Sequence, residues 1–303
     1  MEIAGNRYLV TGGTGFIGSF VVEQLVAEGA EVVVFDATPQ PANLSDLAGD
    51  VEIVQGDVRD PDAVAKAAEG AAGVFHMAVL PLGPTIEQPR LGLEVNVDGT
   101  FNVLEAAERA GARKVVFSSA WSVYGDTDDT MDESHPLGAR TMYGASKIAG
   151  EYLLRAFADR DALDYVTLRY MNVYGPRQAG GLVMSVLRRI LAGEAPVIAG
   201  DGSQSFDFIH VADVADANVR AMAADVSGVE LNVGSGTEAS VADIVRKLLE
   251  ITGSDLEPQF DTSQRVHMRR RVGSSERARE LLGWSASRDL DAGLRDVVAS
   301  VQG

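Results

Sequence analysis

The chain has 303 residues, 46% hydrophobic and 23% charged, so it can bury one large core or two modest ones and is globular rather than disordered. Its 26 basic and 44 acidic residues give a formal net charge of −18, which argues against nucleic acid or an anionic membrane as the main partner, since both are held through Lys and Arg. Cysteine is absent and His76, His135, His210 and His267 have no metal-ligand spacing, so neither disulfides, thiolate chemistry nor a metal site is expected.

At the N-terminus no basic segment followed by an apolar stretch precedes the first strand, and no apolar run approaches the ~18 residues of a membrane span, so a cytoplasmic protein is expected. Short β-branched runs at 7–11, 31–35, 51–55, 73–77, 114–118 and 165–169 predict strands, and the stretches 16–28, 60–69 and 93–110 predict helices between them. This alternation predicts an α/β chain with a Rossmann-type, doubly wound parallel sheet covered by helices on both faces. After Tyr170 the rhythm breaks into Gly- and Pro-rich sequence with one basic helix. The runs 206–210 and 230–233 then read as strands returning to the main sheet, and from Ser240 the pattern is helical, with stops at Gly253 and Gly283. The expected organisation is a Rossmann domain at 1–171 and 205–234 and a smaller, mostly helical substrate-binding domain at 172–204 and 235–303.

Thr11-Gly-Gly-Thr-Gly-Phe-Ile-Gly18 lies between the first strand and the first helix. Gly13, Gly15 and Gly18 satisfy G-x-G-x-x-G; Gly12, Gly15 and Gly18 also satisfy G-x-x-G-x-x-G. Glycines there allow a tight turn and close backbone approach to a pyrophosphate, which the free N–H groups of the helix start attract. Asp36 follows at about the ~20-residue distance at which a carboxylate meets the adenosine ribose. It would repel a 2′-phosphate, and Ala37-Thr38-Pro39-Gln40 supply no basic residue to hold one, so NAD is expected over NADP.

Tyr143 and Lys147 are four residues apart at the start of a helical stretch, on one face. An ammonium near a phenol favours the phenolate, which can then serve as acid and base on a hydroxyl or carbonyl. With these residues in view the chain resembles the extended short-chain dehydrogenase/reductase family, in particular its NAD-dependent nucleotide-sugar epimerases and dehydratases. The resemblance runs through TGGTGFIG at 11–18, GDVRD at 56–60, HMA at 76–78, NVDGT at 96–100, SVYG at 122–125 and YGASK at 143–147. It continues through RYMNVYGPR at 169–177, GDGSQSFDFIHVADVA at 200–215 and NVGSG at 232–236.

What the resemblance implies is a NAD-dependent nucleotide-sugar 4-epimerase. The substrate is a nucleoside diphosphate sugar, with a UDP-sugar expected, and the assembly is a homodimer paired through the helices at 93–110 and 144–158. Tyr143 would take the proton of the sugar 4-hydroxyl during oxidation at C4, and hydrogen would return to the other face. Gly12, Gly15, Phe16, Ile17, Gly18 and Asp36 would hold the dinucleotide, Asp57 and Val58 its adenine, and Ala78 would line its cleft. Ser118 and Tyr143 would join them, Lys147 would bind the nicotinamide ribose, and Asn96 would lie beside that ribose or the sugar. Ser119, Ala120, Ser122, Asn172, Arg177 and Arg265 would meet the substrate. The alternatives are an NAD-dependent dehydrogenase or reductase of another hydroxylated metabolite, a nucleotide-sugar dehydratase or decarboxylase, and a catalytically weak NAD-binding regulator.

Three residues depart from the family pattern. Ala120 stands where a Ser or Thr would meet the reacting oxygen, and Trp121 is bulky beside it. Phe206 replaces an arginine that would touch the diphosphate. Strand alternation would turn Ser122 the same way as Ala120 and Ser119 the other way, which makes Ser122 the candidate substitute. The run Arg265-Val-His-Met-Arg-Arg-Arg271 reads either as a diphosphate site or as a solvated basic loop. His76 and His210 read as structural, and Asp126, Asp128 and Asp129 as a solvated loop.

Overall fold

The structure is a computed structural model and describes residues 2–160, 163–263 and 269–302. The chain opens with β1 (Arg7–Thr11), α1 (Phe16–Ala27), β2 (Glu31–Asp36), β3 (Val51–Gln55), α2 (Pro61–Ala67) and β4 (Gly73–His76). Next come α3 (Leu82–Glu87), α4 (Pro89–Leu93), α5 (Gly99–Ala110), β5 (Lys114–Ala120), α6 (Met142–Ala158) and β6 (Asp164–Tyr170). They are followed by β7 (Asn172–Tyr174), α7 (Gly181–Leu191), β8 (Val197–Ala199), β9 (Ser205–His210), α8 (Val211–Ala223) and β10 (Val229–Val233). The last elements are β11 (Glu238–Ser240), α9 (Val241–Thr252), β12 (Gln259–Asp261), β13 (Arg270–Arg271), α10 (Glu276–Leu282) and α11 (Leu290–Gln302).

The main sheet has seven parallel strands in the order β3-β2-β1-β4-β5-β6-β10. Its inner strands are apolar on both faces because helices cover both, while the edge strand β3 is largely exposed. Tyr8, Val10, Val32, Val34 and Phe75 pack on one side with α1 and α8. Leu9, Val33, Phe35, Val74 and Phe117 pack on the other, against α2, α5 and α6. The direction of winding reverses between β1 and β4, and the carboxyl ends of strands at such a reversal open the crevice where ligands bind.

One expectation is corrected by the sheet pairing. β10 does return to the main sheet beside β6, whereas β9 joins a second sheet with β7, β11 and β13. A six-residue strand carries no mark of which sheet it will join. That choice is made by β7, which begins two residues after β6 ends and pairs Asn172–Tyr174 with Phe208–His210. This second sheet packs with α7, α9 and α11 on a third core around Leu187, Phe208, Ile244, Leu248 and Val297. The segment after α9 also serves the main body: Ala278, Leu282 and Trp284 lie in the same core as β1, and the Trp284 indole N–H donates to the Asp213 carbonyl at 3.1 Å.

Local chemistry sets the helix ends near the cleft. Asp60 caps α2 by accepting from the backbone N–H groups of Asp62 and Ala63, and Thr141 caps α6 by accepting from that of Gly144. Between α4 and α5 the helix widens into a π turn at Glu94–Asp98, a distortion that often marks a functional position. Among the described residues no helix is long and apolar enough to cross a membrane.

Candidate active site

A cleft of about 950 Å³ opens at the carboxyl ends of β1, β4 and β5 and extends toward the second sheet. At its floor Gly12 adopts φ +69, and a Cβ there would stand 2.8 Å from the Ala78 amide nitrogen, so only glycine lets the turn approach the end of β4. Gly15 begins α1 without a side-chain cap, which leaves the first N–H groups of that helix to a ligand; Phe16, Ile17 and Gly18 line the cleft there. This cradle fits a pyrophosphate.

Asp36, at the end of β2, lines the same cleft. Its Oδ2 accepts from the Thr14 hydroxyl at 2.6 Å, and its Oδ1 from the Thr38 backbone N–H at 3.2 Å. Thr14 is a residue the sequence reading missed; its place inside the glycine turn was the available signal. Asp57 and Val58 lie further along the wall. The Asp57 carboxyl is held below its usual range by hydrogen bonds from Arg59, including Nη2 to Oδ2 at 2.6 Å. The turn, the Asp36 carboxylate and the apolar Val58 and Ala78 together suit a dinucleotide without a 2′-phosphate.

Tyr143 lines the cleft one helical turn from Lys147, which is 3% exposed. The Lys147 Nζ donates to the Ser118 carbonyl at 2.7 Å and lies 5.8 Å from the centre of the Tyr143 ring. Burial pushes the ammonium down to about 7 and the Tyr143 phenol up to about 12. In the ligand-free protein the rise of the phenol comes from its loss of water on burial.

Asn96 does not line the cleft. Its buried carboxamide accepts from the Leu80 N–H at 2.7 Å and donates to the Leu80 carbonyl at 3.1 Å and to Ser146 Oγ at 3.1 Å. Ser146 donates to the Tyr143 carbonyl at 2.7 Å. Asn96, in the π turn, thus ties the loop after β4 to the helix that carries Tyr143. His76 is buried between Thr11 and Thr100, and burial keeps it neutral by pushing it down to about 3. His210 caps α8, accepting from the Ala212 N–H.

Behind β5, Ser119 donates to Glu151 Oε1 at 2.6 Å, and Glu151 forms a buried ion pair with Arg169 at 2.6 Å. Ser119 borders the cleft, with its hydroxyl engaged by Glu151. Ala120 ends β5, Trp121 starts a short 3-10 turn, and Ser122 lies within that turn rather than in the strand. Strand alternation therefore does not reach Ser122, yet Ala120, Trp121 and Ser122 all line the cleft.

Asn172 borders the cleft, with its Nδ2 at 3.4 Å from the Asp207 carbonyl. Arg177 does not. It is drawn to α1 by Glu23 at 2.5 Å and Ser19 at 3.1 Å, with its guanidinium over the Phe20 ring. Phe206 packs edge-on against Phe208 with ring centres 6.0 Å apart, and it is Phe208 that lines the cleft. Arg265 and His267 lie outside the described residues. Of the rest of that basic run, Arg270 pairs with Glu238 at 3.0 Å, and buried Arg271 pairs with Asp126 and lies over the Trp121 ring. Asp126 thus anchors Arg271 while itself remaining exposed in its loop. Gln178 is a further missed cleft residue, with a covered Oε1 that has no hydrogen-bond partner.

The pattern of the NAD-dependent epimerase/dehydratase family matches residues 8–234. A UDP-glucose 4-epimerase of Mycolicibacterium smegmatis is 36% identical over 304 residues, covering 96% of this chain and 97% of that protein. Among solved structures, the UDP-glucose 4-epimerase of Thermotoga maritima with UDP-glucose superposes with a TM-score of 0.92 at 31% identity over 98% of each chain. The UDP-glucose 4-epimerase of Thermus thermophilus complexed with NAD gives a TM-score of 0.88 at 31% identity, covering 98% of this chain and 99% of that one.

Proposed function

The chain belongs to the NAD-dependent epimerase/dehydratase family, and we propose that it interconverts a UDP-sugar with its 4-epimer. The observation that carries this reading is the placement of Tyr143, backed by buried Lys147, in the same cleft as the glycine turn and Asp36.

Gly12, Gly15 and Gly18 with the start of α1 would hold the pyrophosphate, Asp36 the adenosine ribose, and Asp57 and Val58 the adenine edge. Bound NAD supplies a reversible acceptor for two electrons and the C4 hydrogen, together with a cationic ring whose charge favours the Tyr143 phenolate. Tyr143 takes the proton of the sugar 4-hydroxyl as C4 is oxidised, and gives it back to the 4-oxygen when C4 is reduced on the opposite face. Lys147, held on the Ser118 carbonyl, fixes its helix against β5 and in its ammonium form lends positive charge beside the phenol. Asn96 and Ser146 fix the apolar loop after β4 against that helix, limiting water at the reacting centre.

The partner is a second copy of the chain. α5 and α6 pack side by side and expose Phe101 at 43% and Tyr152 at 56%, apolar surface that a homodimer through these helices would cover. The cytoplasm is the compartment we propose. Incubation with UDP-glucose or UDP-galactose, followed by NMR, should reach the same mixture from either side without added NAD. A product of altered mass, or a lasting requirement for free NAD, would oppose the reading.

A further inference from the structure

An oxygen at C4 that passes between hydroxyl and carbonyl accepts hydrogen bonds in two directions, and Tyr143 can serve only one. The end of β5 and the turn after it offer the nearest hydroxyls. Ser118 is set against the Tyr170 phenol, Ser119 donates to Glu151, and Ala120 has no hydroxyl. Ser122 remains. Its Oγ is covered and has no hydrogen-bond partner, although the residue itself forms part of the cleft wall. Covered hydroxyls without partners are uncommon and cost stability, so such a group is one that a ligand can satisfy.

Ser122 is also fixed next to the catalytic helix. A Cβ at Gly144 would stand 2.6 Å from the Ser122 carbonyl oxygen, so the residue following Tyr143 touches the Ser122 backbone and glycine is what permits it. From these two observations we infer that the Ser122 hydroxyl donates the second hydrogen bond to the sugar 4-oxygen, the contact that Ala120 cannot make. Serine has one rotatable bond before its oxygen, and with no partner to break away from, that rotation is all the hydroxyl needs to turn toward a bound sugar. The neighbouring Trp121 of the same turn lies under the Arg271 guanidinium.

This assignment rests on the 4-epimerase reading, and the two fail differently. Wild-type protein that neither interconverts UDP-sugars nor reduces its bound NAD when given them contradicts the epimerase reading. With active wild type, Ser122→Ala should lower kcat about 10- to 100-fold, with KM and bound NAD content within twofold, because the lost donor acts mainly on the developing charge. Ser122→Thr should keep most of the rate. The double variant Ala120→Ser/Ser122→Ala should regain at least tenfold over Ser122→Ala, since either hydroxyl then meets the same oxygen. Ligand-free Ser122→Ala should melt no lower than wild type, because it loses an unpartnered hydroxyl. A Ser122→Ala protein as fast as wild type overturns the assignment. So does one that is slower only in proportion to lost folded protein.

Discussion

The Thr14 hydroxyl donates to the Asp36 carboxylate across 2.6 Å, so the glycine turn and the end of β2 form a single device. The turn leaves the start of α1 open to a phosphate, and its own threonine fixes the carboxylate proposed to meet the ribose. Hydrogen bonds to a charged group are worth about 1.5–3 kcal/mol, so Asp36→Asn should weaken NAD binding roughly 10- to 150-fold while improving NADP binding relative to NAD. Titration by protein fluorescence checks both. Wild type that already prefers NADP would contradict the assignment of the cofactor.

Lys147 makes the stability of the ligand-free protein depend on pH. Its folded-state pKa is pushed down to about 7 by burial. In the unfolded chain a lysine titrates near about 10.4. Between those values the unfolded state binds more protons, so the Lys147 contribution rises with pH through that window and is flat on either side. Lys147→Met removes the contribution. The stability of wild type minus that of Lys147→Met, from urea unfolding, should therefore increase from pH 7 to pH 10. A difference that stays level would mean that Lys147 is charged in the folded protein across the whole range.

Phe101 on α5 and Tyr152 on α6 supply the test of assembly. Light scattering of wild type at micromolar concentration should give twice the 32.1 kDa mass of the chain. Phe101→Glu/Tyr152→Glu should give one chain mass, because two carboxylates would be forced into the interface without partners. A monomeric wild type would remove the homodimer.

Much of the main sheet was legible because its strands are β-branched runs separated by helices of ordinary length, and the glycine turn marks where β1 ends. The fate of β9 was not legible, since sheet membership depends on a pairing with β7 that neither strand's composition encodes. Tyr143 and Lys147 could be read from spacing, but the rise of the phenol could not, because it comes from burial that only the packed helix creates. Arg177 shows the opposite limit. A basic residue in the expected loop looked like an anion contact, whereas Glu23, far away in sequence, holds it against α1. Arg271 is similar: its charge suggested a ligand, and Asp126 and Trp121 account for it instead.

In the proposed reaction Tyr143 works on a 4-hydroxyl whose carbon gives up its hydrogen and takes the same one back. UDP-glucose deuterated at C4 tests this directly, with the product analysed by NMR and mass spectrometry. The product should be UDP-galactose that keeps its deuterium at C4 with no build-up of reduced NAD, formed at least ~10²-fold more slowly by Tyr143→Phe. Deuterium lost to solvent, a dehydrated or oxidised product, or a Tyr143→Phe protein as fast as wild type would contradict it.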